Sequence, residues 1–159
     1  MTDTTWATGR IALLTGATSG FGEARAGRLL AAGAHVIATG RRVERLEALA
    51  KDLATDGLLT RELDVRSAAS IDALLPRLPP EFAAVDVLYN NAGLALGLGK
   101  AHEASLDDWT TMIETNVTGL VRMTRAVLPG MVGRDRGDVI NISAVPANYP
   151  YPGGNVYGA

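Results

Sequence analysis

Residues 10–33 read RIALLTGATSGFGEARAGRLLAAG, and this stretch decides the fold. Arg10 to Thr15 is a short apolar run that ends at glycines, and Glu23 to Ala32 places small and apolar side chains at helical spacing. The pattern predicts a strand, a tight turn and a helix. Glycines allow close approach of a ligand, and free N–H groups at a helix start favour an anion. The turn therefore suits a phosphate group, although a plain strand-to-helix loop would use the same glycines.

The spacing of these glycines differs from G-x-G-x-x-G, so that dinucleotide fingerprint does not apply unmodified. The turn runs from Thr15 to Gly22 as TGATSGFG. Its candidate phosphate-binding residues are Gly16, Thr18, Ser19, Gly20, Phe21 and Gly22.

Downstream of this turn, short apolar runs alternate with amphipathic stretches. Strands are predicted at 34–39, 58–65, 85–89 and 138–143, and helices at 43–53, 67–76 and 106–132. Ser67 is the expected N-cap of its helix, and Pro76, Pro79 and Pro80 close that helix. So regular an alternation predicts an α/β fold, a doubly wound parallel sheet of the Rossmann type, in one domain over residues 1–159.

Composition excludes several classes of function. The net charge of −2 gives no basic surface for nucleic acid, and the absence of cysteine excludes disulfides and thiolate metal sites. The two histidines, His35 and His102, lie far apart in the sequence, so we expect surface roles and no metal site. No apolar run reaches the ~20 residues of a membrane span. The polar start, Met1 to Trp6, reads as a loose terminus without a secretory signal, and a cytoplasmic protein is expected.

Two arginines follow the second predicted strand, in the sequence Gly40-Arg41-Arg42. In doubly wound folds this position meets the adenosine ribose, where an acid holds the 2'-hydroxyl and an arginine accommodates a 2'-phosphate. Guanidinium groups bind phosphate oxygens by charge-assisted hydrogen bonds. A solvated pair is the alternative, but cations at a helix start are electrostatically unfavourable. The pair therefore favours NADP(H) over NAD(H).

Three ordered motifs carry a resemblance to a known family. The glycine turn, Asn90-Asn91-Ala92-Gly93 after the fourth strand and Tyr157 after the fifth resemble the classical short-chain dehydrogenase/reductase family, from about Arg10 onward. Within it, residues 89–97, 124–131 and 151–159 are similar to NADP-dependent serine and 3-hydroxy acid dehydrogenases.

The resemblance implies further roles for particular residues. Asp64, followed by Val65, would meet the adenine, and Asn91 would lie beside the cofactor and fix the fourth strand. Tyr157 would exchange a proton with the substrate, helped by a lysine four residues later, beyond Ala159. Asn116 would hold a helix irregularity. Because it lies on the apolar stripe Trp109, Met112, Asn116 and Leu120, it must have hydrogen-bonding partners.

The serine position departs from the family pattern. The family places its carbonyl-binding serine thirteen residues before the tyrosine, which is Ala144 here, and Ser143 comes one residue early. Neighbouring side chains on a strand face opposite ways, so Ser143 can substitute only if the strand end is irregular. We therefore name Tyr157, Asn116 and Ser143 as the catalytic candidates.

The resulting hypothesis is an oxidoreductase that transfers hydride between NADP(H) and a small hydroxy or keto compound, such as a 3-hydroxy acid or serine. The alternative is an NADP(H)-binding protein without turnover, or an inactive fragment, because of Ala144 and the lysine position beyond residue 159. The resemblance also implies a homo-oligomer, a dimer or tetramer, and further strands and helices after Ala159.

Overall fold

The computed structural model describes residues 6–149 and 151–158. Residues 1–5, most of the predicted loose terminus, lie outside the described residues. Within the described residues, the five strands are β1 Ile11–Leu14, β2 His35–Gly40, β3 Leu58–Glu62, β4 Val87–Asn90 and β5 Asp138–Asn141. The helices are α1 Gly20–Ala31, α2 Val43–Leu53, α3 Ala68–Leu74, α4 Leu106–Ile113 and α5 Leu120–Gly133, with a π-helical segment, Glu114–Gly119, joining the last two. Short 3-10 turns include Val145–Ala147 and Asn155–Gly158.

The strands form one parallel sheet in the order β3-β2-β1-β4-β5. Leu13 of β1 pairs with Ile37 of β2 on one side and with Leu88 of β4 on the other. The chain thus builds outward from β1 in one direction, then returns to continue in the other. The predicted doubly wound parallel sheet is confirmed. Such sheets bind ligands where the strand order reverses, at the carboxyl ends of β1 and β4.

Successive side chains of β1 face opposite sides and enter separate cores. Leu14 packs in the layer that contains Leu29 of α1, whereas Leu13 packs in the layer that contains Val127 of α5. Both leucines are fully buried. Because apolar side chains cover both faces of the central strands, the carboxyl ends of those strands are rigidly placed.

Several element boundaries differ from the predictions. Helix α1 begins at Gly20, and β3 and β5 end at Glu62 and Asn141, each before the predicted last residue. The Ser67 cap is confirmed, since its hydroxyl accepts a hydrogen bond from the Ser70 amide at 3.2 Å. No helix in the described ranges is both long and apolar enough to cross a bilayer.

The predicted helix 106–132 is continuous but contains the π-helical segment. The predicted stripe continues from Met112 through Asn116 to Leu120, yet the buried residues beyond Met112 are Thr115 and Gly119. Thr115 and Gly119 lie three and seven residues after Met112, on the face that a regular helix also shares with Met112, so the predicted stripe was drawn one residue too late.

Candidate functional site

A cavity of about 420 Å³ opens at the carboxyl ends of the first four strands. Its volume lies in the range of small-molecule sites, roughly 300–1,000 Å³. Ten of the eleven predicted cofactor residues line it, namely Gly16, Thr18, Ser19, Phe21, Gly22, Arg41, Arg42, Asp64, Val65 and Asn91. The eleventh, Gly20, begins α1 and takes a left-handed φ of 56°. The structure thus brings the predicted set together at the switch point of the sheet.

The glycine turn is packed too closely for side chains. Gly16 has a φ of 70°, and a Cβ there would lie 2.8 Å from the Cα of Ala92. A Cβ on Gly22 would overlap the carbonyl oxygen of Gly16 and approach the Asn91 amide nitrogen to 2.7 Å. The turn therefore brings bare backbone to the cavity wall, beside the first turn of α1.

The two arginines make different contacts. The Arg42 guanidinium donates hydrogen bonds to the Thr18 hydroxyl at 2.8 Å and to the Ser19 hydroxyl at 2.9 Å. It also donates to the Thr18 carbonyl at 3.3 Å. Arg41 is exposed at the cavity rim. Arg42 consequently links the end of β2 to the glycine turn, and both guanidinium groups give this end of the cavity a positive charge.

Asp64 lies between the cavity and a third arginine. Its Oδ2 accepts a hydrogen bond from Arg66 Nη2 at 2.6 Å, and its Oδ1 accepts from the Arg66 backbone amide at 3.0 Å. The Arg66 side chain holds the pKa of the Asp64 carboxyl below its ordinary value of 3.8, against a smaller opposing effect of burial. Asp64 therefore presents a carboxylate at the cavity wall at neutral pH.

Asn91 connects β4 to the glycine turn. Its side-chain amide donates to the Thr15 carbonyl at 3.0 Å and to the Gly16 carbonyl at 3.2 Å. The Thr15 hydroxyl in turn accepts from the backbone amides of Asn91 and Ala92, both at 3.0 Å. Asn91 thus joins the end of β4 to the backbone at the end of β1 and in the glycine turn.

Asn116 lies within the π segment and pairs with one backbone unit. Its Oδ1 accepts from the Leu94 amide at 2.9 Å, and its Nδ2 donates to the Leu94 carbonyl at 2.8 Å. The predicted partners and the predicted helix irregularity are both present. Asn116 therefore ties the loop after β4 to the helix.

Tyr157 and Ser143 do not line the cavity. Tyr157 is half-buried in the turn Asn155–Gly158, where its amide donates to the Gly154 carbonyl at 2.9 Å. Ser143 is exposed and lies beyond the end of β5, as does the half-buried Ala144. The strand alternation expected to separate Ser143 from Ala144 therefore does not reach them.

Some residues that line the cavity were not predicted from the sequence. Thr115, Gly93 and Leu94 line the cavity, and Thr115 was missed because the predicted stripe passed through its neighbour Asn116. Both histidines are exposed, as expected. Among the residues that the structure describes, no group of three or more metal-ligating side chains could hold an ion.

The family model described as short chain dehydrogenase matches residues 10–159. NADP-dependent 3-hydroxy acid dehydrogenase YdfG of Salmonella typhi is 58% identical over 149 residues, covering 94% of this chain and 60% of that protein. This chain thus spans about 60% of the length of the curated relatives it matches.

Two solved structures are similar over most of the chain. One is the closed form of serine dehydrogenase complexed with NADP+, with a TM-score of 0.91 and 56% identity over 93% of this chain and 59% of that one. The other is serine dehydrogenase from Escherichia coli, with a TM-score of 0.90 and 56% identity over 93% of this chain and 68% of that one.

Proposed function

Because this chain belongs to the short chain dehydrogenase family, we propose that it binds NADP(H) within an oxidoreductase that acts on a small hydroxy or keto compound. The observation that carries the proposal is that the same cavity has the glycine turn, whose backbone lacks side chains at Gly16 and Gly22, on one wall and two arginines at one end. Relatives named as NADP-dependent 3-hydroxy acid dehydrogenase and as serine dehydrogenase support a 3-hydroxy acid or serine as substrate.

The residues present fit a dinucleotide phosphate. Backbone without side chains at Gly16 and Gly22 leaves room for a pyrophosphate, and the start of α1 supplies N–H groups and a positive dipole end. Arg41 and Arg42 would bind the 2'-phosphate through charge-assisted hydrogen bonds. Asp64 and Val65 would border the adenine, and Asn91 would lie beside the bound cofactor.

Bound NADP(H) would supply the hydride acceptor or donor. We assign the accompanying proton to the Tyr157 hydroxyl, which would give it to a carbonyl or take it from an alcohol. Asn116 would act indirectly, because it holds the backbone of the loop after β4 through Leu94. Ser143 stays a candidate donor to the substrate oxygen, since it follows the regular strand and is exposed.

Ala144 lowers the expected turnover. Removing one donor to a developing oxyanion costs roughly 100- to 1,000-fold in turnover. We expect Ala144→Ser to raise kcat of the whole protein for NADP+ reduction with L-serine or 3-hydroxypropionate. A protein that binds NADP+ but reduces none of it with a panel of 3-hydroxy acids, before or after this substitution, would support the non-catalytic alternative instead.

Cofactor preference tests the two arginines directly. Arg41→Ala should weaken NADP+ binding by roughly 10- to 100-fold, the equivalent of one charged hydrogen bond, and leave NAD+ binding unchanged. Arg45→Ala removes the same charge from an exposed position on α2 that does not line the cavity, and serves as the control. Titration calorimetry with both dinucleotides measures the effect. Equal losses in the two variants would reject the proposed 2'-phosphate site.

We also propose that the protein is a homo-oligomer that uses the long helix. Val117, Val121 and Val132 are 56%, 57% and 75% exposed along the π segment and α5, so they form an apolar surface that no other described residue of the chain covers. Sedimentation of the protein should give a dimer or tetramer, and Val121→Glu should shift it toward the monomer. A monomeric parent protein would contradict this.

Two further proposals concern organisation and location. Residues 1–159 form one domain, for which the single sheet of five strands is the support, and thermal unfolding should show one cooperative transition. A cytoplasmic location suits a chain without cysteine, and cell fractionation tests it.

A further inference from the structure

The segment from Gly153 to Asn155, just before Tyr157, lies against the loop after β4 through one close approach and one hydrogen bond. Gly153 has a φ of 84°, and a Cβ there would lie 2.6 Å from the carbonyl oxygen of Leu98. Two residues later, the Asn155 side-chain amide donates a hydrogen bond to the carbonyl of Gly99 at 3.0 Å. The tyrosine follows within the same 3-10 turn, Asn155–Gly158. Its position therefore depends on where this loop lies.

The loop, residues 94–99, is itself held by the long helix. At its start, Asn116 pairs with both backbone groups of Leu94. In its middle, the Leu96 amide donates to the sulfur of Met112 at 3.4 Å. At its end, Gly99 accepts from Asn155. One asparagine thus holds each end of the loop, and together they connect the π segment to the tyrosine turn.

Asn155 also suits its backbone conformation. Its φ is 45°, in the left-handed region that asparagine, aspartate and glycine tolerate better than other residues. Glycine would keep this conformation without the side-chain donor, and aspartate would place an acceptor against the Gly99 carbonyl. The two requirements on the residue can therefore be separated by substitution.

We infer that Asn155 is a positioning residue for Tyr157, and that it acts by fastening the tyrosine turn to the loop that Asn116 holds. This inference rests on the proposed proton-transfer role of Tyr157. Asn155 does not line the NADP(H) cavity, so its loss leaves cofactor binding intact. What it controls is the placement of the tyrosine hydroxyl, and a displacement of about 1 Å at a reacting group costs roughly 100-fold in rate.

Two variants of the whole protein, Asn155→Gly and Asn155→Asp, test the inference. Both should lower kcat for NADP+ reduction with L-serine or 3-hydroxypropionate by roughly 10- to 100-fold, while the Kd for NADP+ stays within about twofold. In the 159-residue chain, amide hydrogen exchange of residues 154–158 should become faster in both variants, because the Tyr157 amide bond to Gly154 is less well held. Asn148→Gly, at an exposed asparagine of the preceding loop, is the matched control and should change neither quantity.

The outcomes separate this inference from the proposed function. Unchanged kcat in both Asn155 variants would overturn the inference even if exchange became faster, because Asn155 would then be structural only. A loss of NADP+ affinity equal to the loss of kcat would also overturn it. If the parent protein bound NADP+ but reduced none, the proposed catalytic function would fail, and this inference would fail with it. If the parent protein is active, the two variants measure the contribution of Asn155 alone.

Discussion

Substitution of Gly22 by alanine sets helix propensity against steric overlap. Gly22 lies in the first turn of α1, where alanine would improve helix propensity by roughly 0.5–1 kcal/mol. A Cβ there would nevertheless overlap the Gly16 carbonyl oxygen and lie 2.7 Å from the Asn91 amide nitrogen. The Gly16 oxygen is backbone, and the Asn91 amide is held in place by its hydrogen bonds to the Thr15 and Gly16 carbonyls, so neither neighbour can move away without cost.

The overlap should outweigh the gain in propensity. Forcing an extra carbon into a well-packed site costs roughly 1–3 kcal/mol, so after the gain in propensity we expect a net loss of up to about 2.5 kcal/mol in the free energy of unfolding. For a chain of this size, that loss corresponds to a fall in Tm of up to roughly 10 °C. The Asn91 hydrogen bonds to Thr15 and Gly16 would also be displaced, so NADP+ affinity should fall by more than tenfold.

Gly27→Ala provides the control within the same helix. Its Cβ would meet only the Leu53 Cδ2 at 3.7 Å, an ordinary contact, so this variant should be stabilised by roughly 0.5–1 kcal/mol and bind NADP+ normally. Urea unfolding measures the free energy of unfolding, provided that the m-values of the variants are equal. Calorimetric titration with NADP+ measures the affinity. If Gly22→Ala proved as stable as Gly27→Ala, the close packing described for the glycine turn would be refuted.

Two further predictions concern buried and charged partners of the site. Thr15→Val keeps the side-chain shape but leaves the amides of Asn91 and Ala92 without their acceptor, so urea unfolding should show a loss of roughly 2–4 kcal/mol; a loss below about 0.5 kcal/mol would contradict the assigned bonds. Arg66→Gln should cost under about 1 kcal/mol at pH 7, because the pair is partly exposed. The pKa of Asp64 is depressed, so its stabilisation is complete above pH 3.8 and is lost as the pH falls through the lower folded-state pKa. The difference between Arg66→Gln and the parent should therefore shrink below about pH 4, and a difference that grew with acid would have the wrong sign.

The cofactor side of the site was largely predictable from sequence. Glycines between an apolar run and a helix, followed by two arginines after the next strand, define local geometry that the parallel sheet then brings to one edge. The carboxyl ends of all the strands meet at that edge. The convergence of residues from Gly16 to Asn91 can therefore be predicted without knowing any side-chain contact.

The remaining contacts depend on side-chain choices that a one-dimensional pattern does not encode. Arg42 was predicted as a phosphate ligand, but its hydrogen bonds to Thr18 and Ser19 arise only once β2 lies beside the glycine turn. Similarly, Asp64 was expected to meet the adenine, but its pairing with Arg66 depends on the course of the backbone beyond β3. The predicted strand 138–143 was too long, because β5 ends at Asn141 and Ser143 lies beyond it.

The π segment has a consequence for counting along the helix. Met112 and Met131 are both buried and lie nineteen residues apart, whereas five full turns of an α-helix take eighteen. The additional residue in the wide turn absorbs that difference and returns Met131 to the side of the helix on which Met112 lies. Deleting one residue between 114 and 119 should therefore give a regular helix in which Met112 and Met131, then eighteen residues apart, stay on one side, whereas the present nineteen residues wound as a regular helix would place them about 100° out of phase.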